Sequence, residues 1–564
     1  MKNRIKQYLL AASMCVGLTA CSDFFEPIPG VQFGLDETFA SKQRTEEYLN
    51  NVYSYVREVT DAIHPNTYGG IFTEASLDGA NRWNKTYAEW TNGSFNSASA
   101  QASEYFSKYY QAIAKASTFI QNVDKCTEAA ASTRGKWKSE ARALRAYYYF
   151  ELLRLYGPIP LIGEDPIPLD ASLEELIKER NSVDECVNFI ATELQSAIDS
   201  GDLLQRAGKA NLGRMDVATC MALKAKLYLY WASPLFNGNT DQASVKNKDG
   251  KQLFPQTEDN SKWTQARDAY ERFMTFATGQ GYKLTEVYTN GKLDPYASCR
   301  AAGEFFTTTW EAVDELIFVK LRDLYDYTYW VCPKFTDFQD TDVTGGGGYY
   351  TTQETVDLFF TKDGLTIEED PGYDKFEGIP GANNFTSGRY YDPNNPSRLY
   401  FDADKSKVLK QWKDREPRFY VNITYSGSIW LNEGKYNEEM RTDFTNGANG
   451  TCGKSKASGD CPDSGYLIRR GAKASNNNGS KHFSPVLRLA DMYLGYAEAL
   501  CMCSDLDNAL TYLNKIRVRA GIPEYTFTAT AGKITCPKTQ TDLLNRIRRE
   551  RLVELVFEWN RYFD

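Results

Sequence analysis

The sequence predicts a mainly α fold built of paired helices, and three observations carry that expectation. Apolar residues recur at steps of three and four along most of the 564-residue chain, which places them on one face of a helix. In two helix pairs the second member begins about 34 residues after the first, the length of a tetratricopeptide unit, so the pairs read as tetratricopeptide-like. Between about 285 and 480 the periodicity fades and Gly, Asn, Asp, Pro and Tyr accumulate, which predicts an irregular, loop-rich subdomain with short strands lying on the helices.

Residues 1–20 read as a targeting segment. Lys2, Arg4 and Lys6 form a basic start, and the apolar run from Leu9 to Ala20 falls short of the ~20 residues that span a bilayer. Leu18-Thr19-Ala20-Cys21 resembles a bacterial lipobox, which makes Cys21 the lipid attachment point and first residue of the exported protein. Ser22, Asp23 and Glu26 behind it resemble the surface-export signal of Bacteroidetes lipoproteins. The helical region is expected over 21–284. Phe106, Tyr109, Ile113, Ala116, Ile120 and Val123 mark one helix; Trp137, Ala141, Leu144, Tyr148, Leu152 and Leu155 mark its partner, which Gly157-Pro158 ends. Val183, Val187, Ile190, Leu194 and Ala197 mark a third, and the run from Val217 to Ala232, apolar nearly all round, a buried fourth. Trp263, Ala266, Tyr270, Phe273 and Ala277 mark a fifth. After the loop-rich subdomain, placed at 285–480 with β-prone pieces at 316–320 and 420–425, helices resume over 481–564. Ser484-Pro485 offers an N-cap with Pro at N1, Leu489, Tyr493, Tyr496 and Leu500 follow, then Leu506 to Ile516 closed by Gly521, then a last helix over about 541–559.

Composition excludes several functions. Asp+Glu 74 exceed Lys+Arg 65, giving a net charge of −9, the wrong sign for a protein whose affinity would come from neutralising phosphates, so no nucleic-acid partner is expected. Only His64 and His482 are present, too far apart in sequence for a local metal motif, and there is no CxxC, HExxH or GxSxG. Gly453-Lys454-Ser455 lacks the upstream Gly of a phosphate loop, and Gly345–Gly348 fits no dinucleotide fingerprint and reads as a flexible turn. Asp337, Asp340 and Asp342 do not keep calcium-loop spacing. No catalytic residue, metal site or cofactor is assigned, and the protein is read as a non-enzyme. Of the twelve Cys, Cys15 leaves with the signal and Cys21 takes lipid; among the ten others only Cys452 and Cys461, in one Gly/Ser-rich loop, have spacing that suggests a disulfide.

Two loop segments carry a binding signal. Sugar rings stack apolar C–H faces on aromatic planes while their hydroxyls bond to Asn, Asp, Arg and Lys. Asp78, Asn81, Arg82 and Trp83, with Trp90 close behind, combine both features. Tyr325, Tyr327, Tyr329 and Trp330 form a second patch whose alternate tyrosines would share one face of an extended chain.

Several pieces resemble the SusD/RagB family of nutrient-uptake outer-membrane lipoproteins: the lipobox start, RALRAYYYF at 142–150 running into LYGPIPL at 155–161, ALKAK at 222–226 through ASPLFN at 232–237, TQETVDLF at 352–359 with KDG at 362–364, YLNKIRVRAG at 512–521, and IRRER at 547–551 through ELVFE at 554–558 to RYFD at 561–564. The resemblance implies a SusD-like α-α superhelix of four helix pairs and a lid-like protein packed against a TonB-dependent, SusC-like transporter. It further implies a glycan ligand, or a peptide in the RagB branch, an outer-membrane lipid anchor facing the cell exterior, and a further segment beyond Asp564. A surface glycoside hydrolase is the enzymatic alternative.

Overall fold

The computed structural model describes residues 33–57, 71–76, 78–82, 93–163, 171–303, 311–322, 325–335, 345–376, 378–431, 440–444, 452, 460–472, 482–558 and 560–564. Its helical body runs through α1 (Lys42–Tyr53), α2 (Ala100–Asn122), α3 (Ala131–Tyr156), α4 (Val183–Asp199), α5 (Val217–Ala232) and α6 (Ser261–Gly279). From α2 onward each helix packs on its successor. The chain then leaves this body, makes the short helix α7 (Tyr325–Val331) among loops, and returns as α8 (Leu489–Met502), α9 (Leu506–Ala520) and α10 (Gln540–Glu554). Because α8 packs on α6, the loop-rich excursion departs from and rejoins helices that touch. Gly495 allows that contact: a Cβ there would lie 2.7 Å from the Tyr270 ring carbon that carries the hydroxyl.

Local chemistry sets the helix starts. Ser182 and Glu185 form a capping box on α4, and Asp216 accepts from the Thr219 amide at 2.7 Å to start α5. The apolar stripe of α2 buries Tyr109, Ile113, Ala116 and Ile120 as expected, but Phe106 is exposed and Tyr105 is buried, so the stripe is rotated by one residue at its N-terminal end. Phe106 packs instead at the rim, against Tyr110 and Tyr156. The tyrosine surplus is largely interior. Tyr148 donates to the Val52 carbonyl at 2.5 Å and Tyr149 to that of Ile162 at 2.7 Å, which satisfies each buried hydroxyl.

Six of the short strands among the described residues frame the site: β1 (Ala80–Asn81), which precedes α2, and, in the excursion, β2 (Leu316–Arg322), β3 (Tyr349–Tyr350), β4 (Ile423–Tyr425), β5 (Tyr466–Ile468) and β6 (His482–Arg488). One antiparallel sheet has the order β1-β3-β5-β4, and β2 pairs antiparallel with β6. Two expectations are corrected here. Ser484-Pro485 does not cap a helix; both lie in β6, opposite Lys320 and Val319, with an irregular register immediately after Pro485, where a residue without an amide hydrogen is tolerated. The β-prone piece 420–425 is strand only from Ile423, because Pro417 at N1 starts a helical turn, Pro417–Asn422.

The family-like motifs turn out to hold the interior together. Arg145 on α3 donates to Glu193 on α4 at 2.8 Å and to Ser117 on α2 at 3.1 Å. Lys226 on α5 pairs with Asp491 on α8 at 2.6 Å; Asp491 also takes Arg551 of α10 at 2.6 Å, which reaches Asp564 at 2.7 Å. Burial works against the charge on Asp491, but Lys226 and Arg551 outweigh it and hold its carboxyl well below the usual range.

Candidate functional site

The two loop patches meet at the edge of the four-stranded sheet. β1 sets Ala80 opposite Tyr350 and Asn81 opposite Tyr349, and the Arg82 amide donates to the Gly348 carbonyl at 3.0 Å. The glycine run ahead of β3 then binds the end of α7: the amides of Gly346 and Gly348 donate to the Tyr329 and Trp330 carbonyls at 2.8 and 3.1 Å, and that of Gly347 to Cys332 at 2.9 Å. A flexible turn was expected at 345–348. Instead all four glycines are buried, and a Cβ on Gly346 would come within 2.5 Å of the Trp330 ring. The run is glycine because two backbones and an indole cross there.

Individual residues take different parts. Asp78 is 1 % exposed; Arg561 donates to it at 2.9 Å and Thr351 to its carbonyl at 2.5 Å. Burial lifts its carboxyl to about 6, against the opposing pull of Arg561. Asp78 therefore ties the platform to the C-terminal region, and its carboxylate is turned inward. Asn81 is buried. Arg82 keeps partial exposure and pairs with Asp463, while Lys334 pairs with Asp460. The shared face expected of alternate tyrosines is not formed, because residues 325–331 are helical and Tyr327 and Tyr329 diverge by about 160°. Tyr327 is buried and donates to the Arg470 carbonyl at 2.7 Å, whereas Tyr329 and Trp330 stay half-buried with their rings edge to face at 5.0 Å. Cys461 is buried and its carbonyl accepts from Arg82 at 3.3 Å; Cys452 is buried too. Cys21, Trp83, Trp90 and Asp337, Asp340 and Asp342 lie outside the described residues.

Behind the platform Glu74 is buried, one carboxyl oxygen without a hydrogen-bond partner, and burial alone raises it to about 8. It stands protonated at neutral pH.

At the opposite edge of the sheet lies a place the sequence reading missed. Tyr425, at the end of β4, and Arg469, one residue past β5, line a cavity of about 340 Å3 with Tyr296, Arg300, Arg398 and Tyr400. Tyr400 and Tyr420 stack with ring centres 3.9 Å apart. Arg398 sits 4.3 Å from the Tyr296 ring and is held by Asp294 at 2.8 Å and Asp392 at 2.6 Å. Aromatics joined by hydrogen-bond donors suit a small polar ring compound, and the volume is at the lower end for ligand sites. These residues come from four separate stretches between 296 and 469, so no local motif marks them; the one visible signal was the density of aromatics from Tyr390 to Trp430.

A continuous array of antiparallel helices interrupted by a loop-rich excursion that builds an aromatic platform and cavity defines a decorated helical-repeat protein. The family described as "SusD family" matches residues 315–564, and that described as "Starch-binding associating with outer membrane" matches residues 32–229. The chain belongs to the SusD family. A SusD-like protein of Bacteroides ovatus is 27% identical over 175 residues, a stretch that covers 30% of this chain and 30% of that protein. Among solved structures, one named BT4246 superposes with a TM-score of 0.71 at 25% identity, covering 93% of this chain and 88% of the other. A SusD-like carbohydrate binding protein (BF0978) from Bacteroides fragilis superposes with a TM-score of 0.61 at 19% identity, covering 93% and 86%, and shares the fold. Among the described residues no helix is long and apolar enough to cross a membrane.

Proposed function

We propose that this protein is a surface lipoprotein, anchored to the outer membrane through Cys21, that captures an oligosaccharide and passes it to a TonB-dependent SusC-like transporter. The observation that carries the reading is the platform itself: Arg82, Tyr329, Trp330 and Lys334 brought to one sheet edge by a buried glycine crossing. Aromatic faces for sugar rings and charged donors for hydroxyls then stand on a rigid scaffold, where binding loops are most effective. The description of one matching family as starch-binding and associating with the outer membrane supports both the ligand class and the location. Trp83 and Trp90, in the adjoining loop, belong to the same proposed surface, and Cys452–Cys461 to a proposed disulfide beside it.

A glycan array probed with purified residues 22–564, followed by calorimetry on the hits, tests the reading. Trp330→Ala should weaken glycan binding at least fivefold with an unchanged circular dichroism spectrum. Binding of peptides in preference to every glycan would overturn it, as would full affinity in a double variant lacking Trp83 and Trp330.

A further inference from the structure

Among the described residues, buried cations have partners, with one exception at the aromatic cavity. Arg488 has three carboxylates. Arg415, which has no carboxylate, donates to the Val356 and Phe359 carbonyls at 2.8 Å each. Arg469 is 8 % exposed, yet its guanidinium has neither an ion pair nor a hydrogen bond, and its Nε is sealed from water. Its main-chain amide donates to the Asn422 carbonyl at 2.8 Å and its carbonyl accepts from the Ala472 amide at 3.0 Å, while its guanidinium lies over the Trp430 ring, 5.6 Å from the centre. Tyr425, on the same wall, also has a buried hydroxyl without a partner.

Such an arrangement is costly unless a partner is supplied. A buried charge normally has a partner, and a buried donor left unmade forfeits its desolvation. The other cations at the cavity do not relieve it. Arg300 lies on the same wall, and burial together with the Arg300 charge pulls Arg469 below the ordinary arginine value. Arg398 is neutralised by Asp294 and Asp392. Among the described residues, no Asp or Glu lines the cavity, although the chain as a whole carries net charge −9. A buried guanidinium without a carboxylate partner, that of Arg469, in an acidic protein marks a place where an anion completes the site.

We propose that the cavity receives the anionic group of an acidic saccharide unit, with Arg469 as its counter-ion and the Tyr425 hydroxyl as a hydrogen-bond donor. The inference rests on the glycan reading above and sharpens it to a substrate class. Carboxylate and sulfate share the chemistry of a planar or pyramidal face of oxygens accepting from a guanidinium; the tyrosines Tyr296 and Tyr400 provide the ring surface beside it.

Calorimetry on the full exported chain with three probes distinguishes the outcomes: a uronic-acid oligosaccharide, a sulfated oligosaccharide, and the neutral oligosaccharide of the same backbone. At least one charged probe should bind tenfold or more tighter than the neutral one, Arg469→Met should bring it to the neutral level, and Tyr425→Phe should cost a few-fold. Whichever charged probe responds identifies the carboxylate or sulfate. Because Arg469→Met removes an uncompensated charge, its melting temperature without ligand should equal or exceed that of the parent, which separates lost binding from lost folding. Neutral and charged probes binding alike, with Arg469→Met unaffected, would overturn the inference and leave the glycan reading standing. Binding of none of the saccharides, on the array or in the calorimeter, would overturn both.

Discussion

Replacing Arg488 by Met should destabilise the protein by about 3–5 kcal/mol at neutral pH, the cost of removing one partner from a buried ion pair. Arg488 is 1 % exposed. It bonds Glu315 and Glu554 at 2.8 Å and Glu558 at 2.9 Å, and donates to the Glu554 carbonyl at 2.7 Å. The surrounding lattice is neutral overall: Arg418, Arg470, Arg488, Arg517 and Arg519 face Glu315, Glu416, Glu550, Glu554 and Glu558. Burial opposes the charge of Arg488, but Glu558, Glu554 and Glu315 outweigh it and push it well above the ordinary arginine value. Methionine fills comparable volume, so the loss is electrostatic: three carboxylates retain one cation too few. The cheapest response is for one glutamate to keep a proton, which raises its folded pKa above the unfolded value of about 4.3. A folded chain that holds a proton the unfolded chain has released loses stability as pH rises, so the cost should be larger at pH 8 than at pH 5. Urea unfolding of both proteins at the two pH values measures this. A cost below 1 kcal/mol at pH 7.5, or one that does not change with pH, would refute the view that the lattice is held by charge.

Glu74→Gln should flatten the pH dependence of stability between pH 5 and 8. The folded chain keeps a proton on Glu74 up to about 8, so the parent loses up to about 1.4 kcal/mol per pH unit in that window and the variant does not; parallel slopes would show that Glu74 ionises normally. Gly346→Ala should cost about 1–3 kcal/mol by overpacking against Trp330, read as a lower urea midpoint at constant slope, and an unchanged midpoint would mean the crossing is loose. Cys21→Ala should abolish incorporation of labelled palmitate and move the protein from the membrane to the soluble fraction; normal acylation of the variant would remove the anchor from the proposed function.

Much of the helical body was legible because it repeats a local rule. Val183 to Ala197 and Val217 to Ala232 were delimited to within a few residues by periodicity, a capping residue and a following turn. What escaped was decided by partners distant in sequence. Nothing near Ser484-Pro485 announces that β2, far upstream, will claim them as a strand. Asp78 has the composition of a ligand contact, yet Arg561 at the other end of the chain turns it into an internal tie. Alternate tyrosines at 325, 327 and 329 suit a strand as well as a helix, and tertiary context chose the helix. The glycine run failed differently: glycine marks both freedom and close approach, and only the position of Trp330 shows which applies.

The position of the recognisable motifs follows from the interruption of the helical body. α8, α9 and α10 must find α5 and α6 after a long excursion, and an apolar stripe alone would tolerate a slip by one helical turn, since leucine and alanine faces repeat every three or four residues. A charged pair does not tolerate it: moving α8 by one turn, about 5.4 Å, would leave Lys226 and Asp491, now 2.6 Å apart, buried and unpaired. The relay Lys226–Asp491–Arg551–Asp564 and the lattice around Arg488 thus fix one register of return. Lys226, Arg517, Arg519, Glu550, Arg551, Glu554 and Glu558 of these fall in the motifs by which the family resemblance is recognised, and they are buried. The surfaces proposed for a ligand, at Trp330 and at Arg469, sit on loops that the fixed register holds in place without dictating their sequence, which is why the family can be read from this chain so much more readily than its ligand.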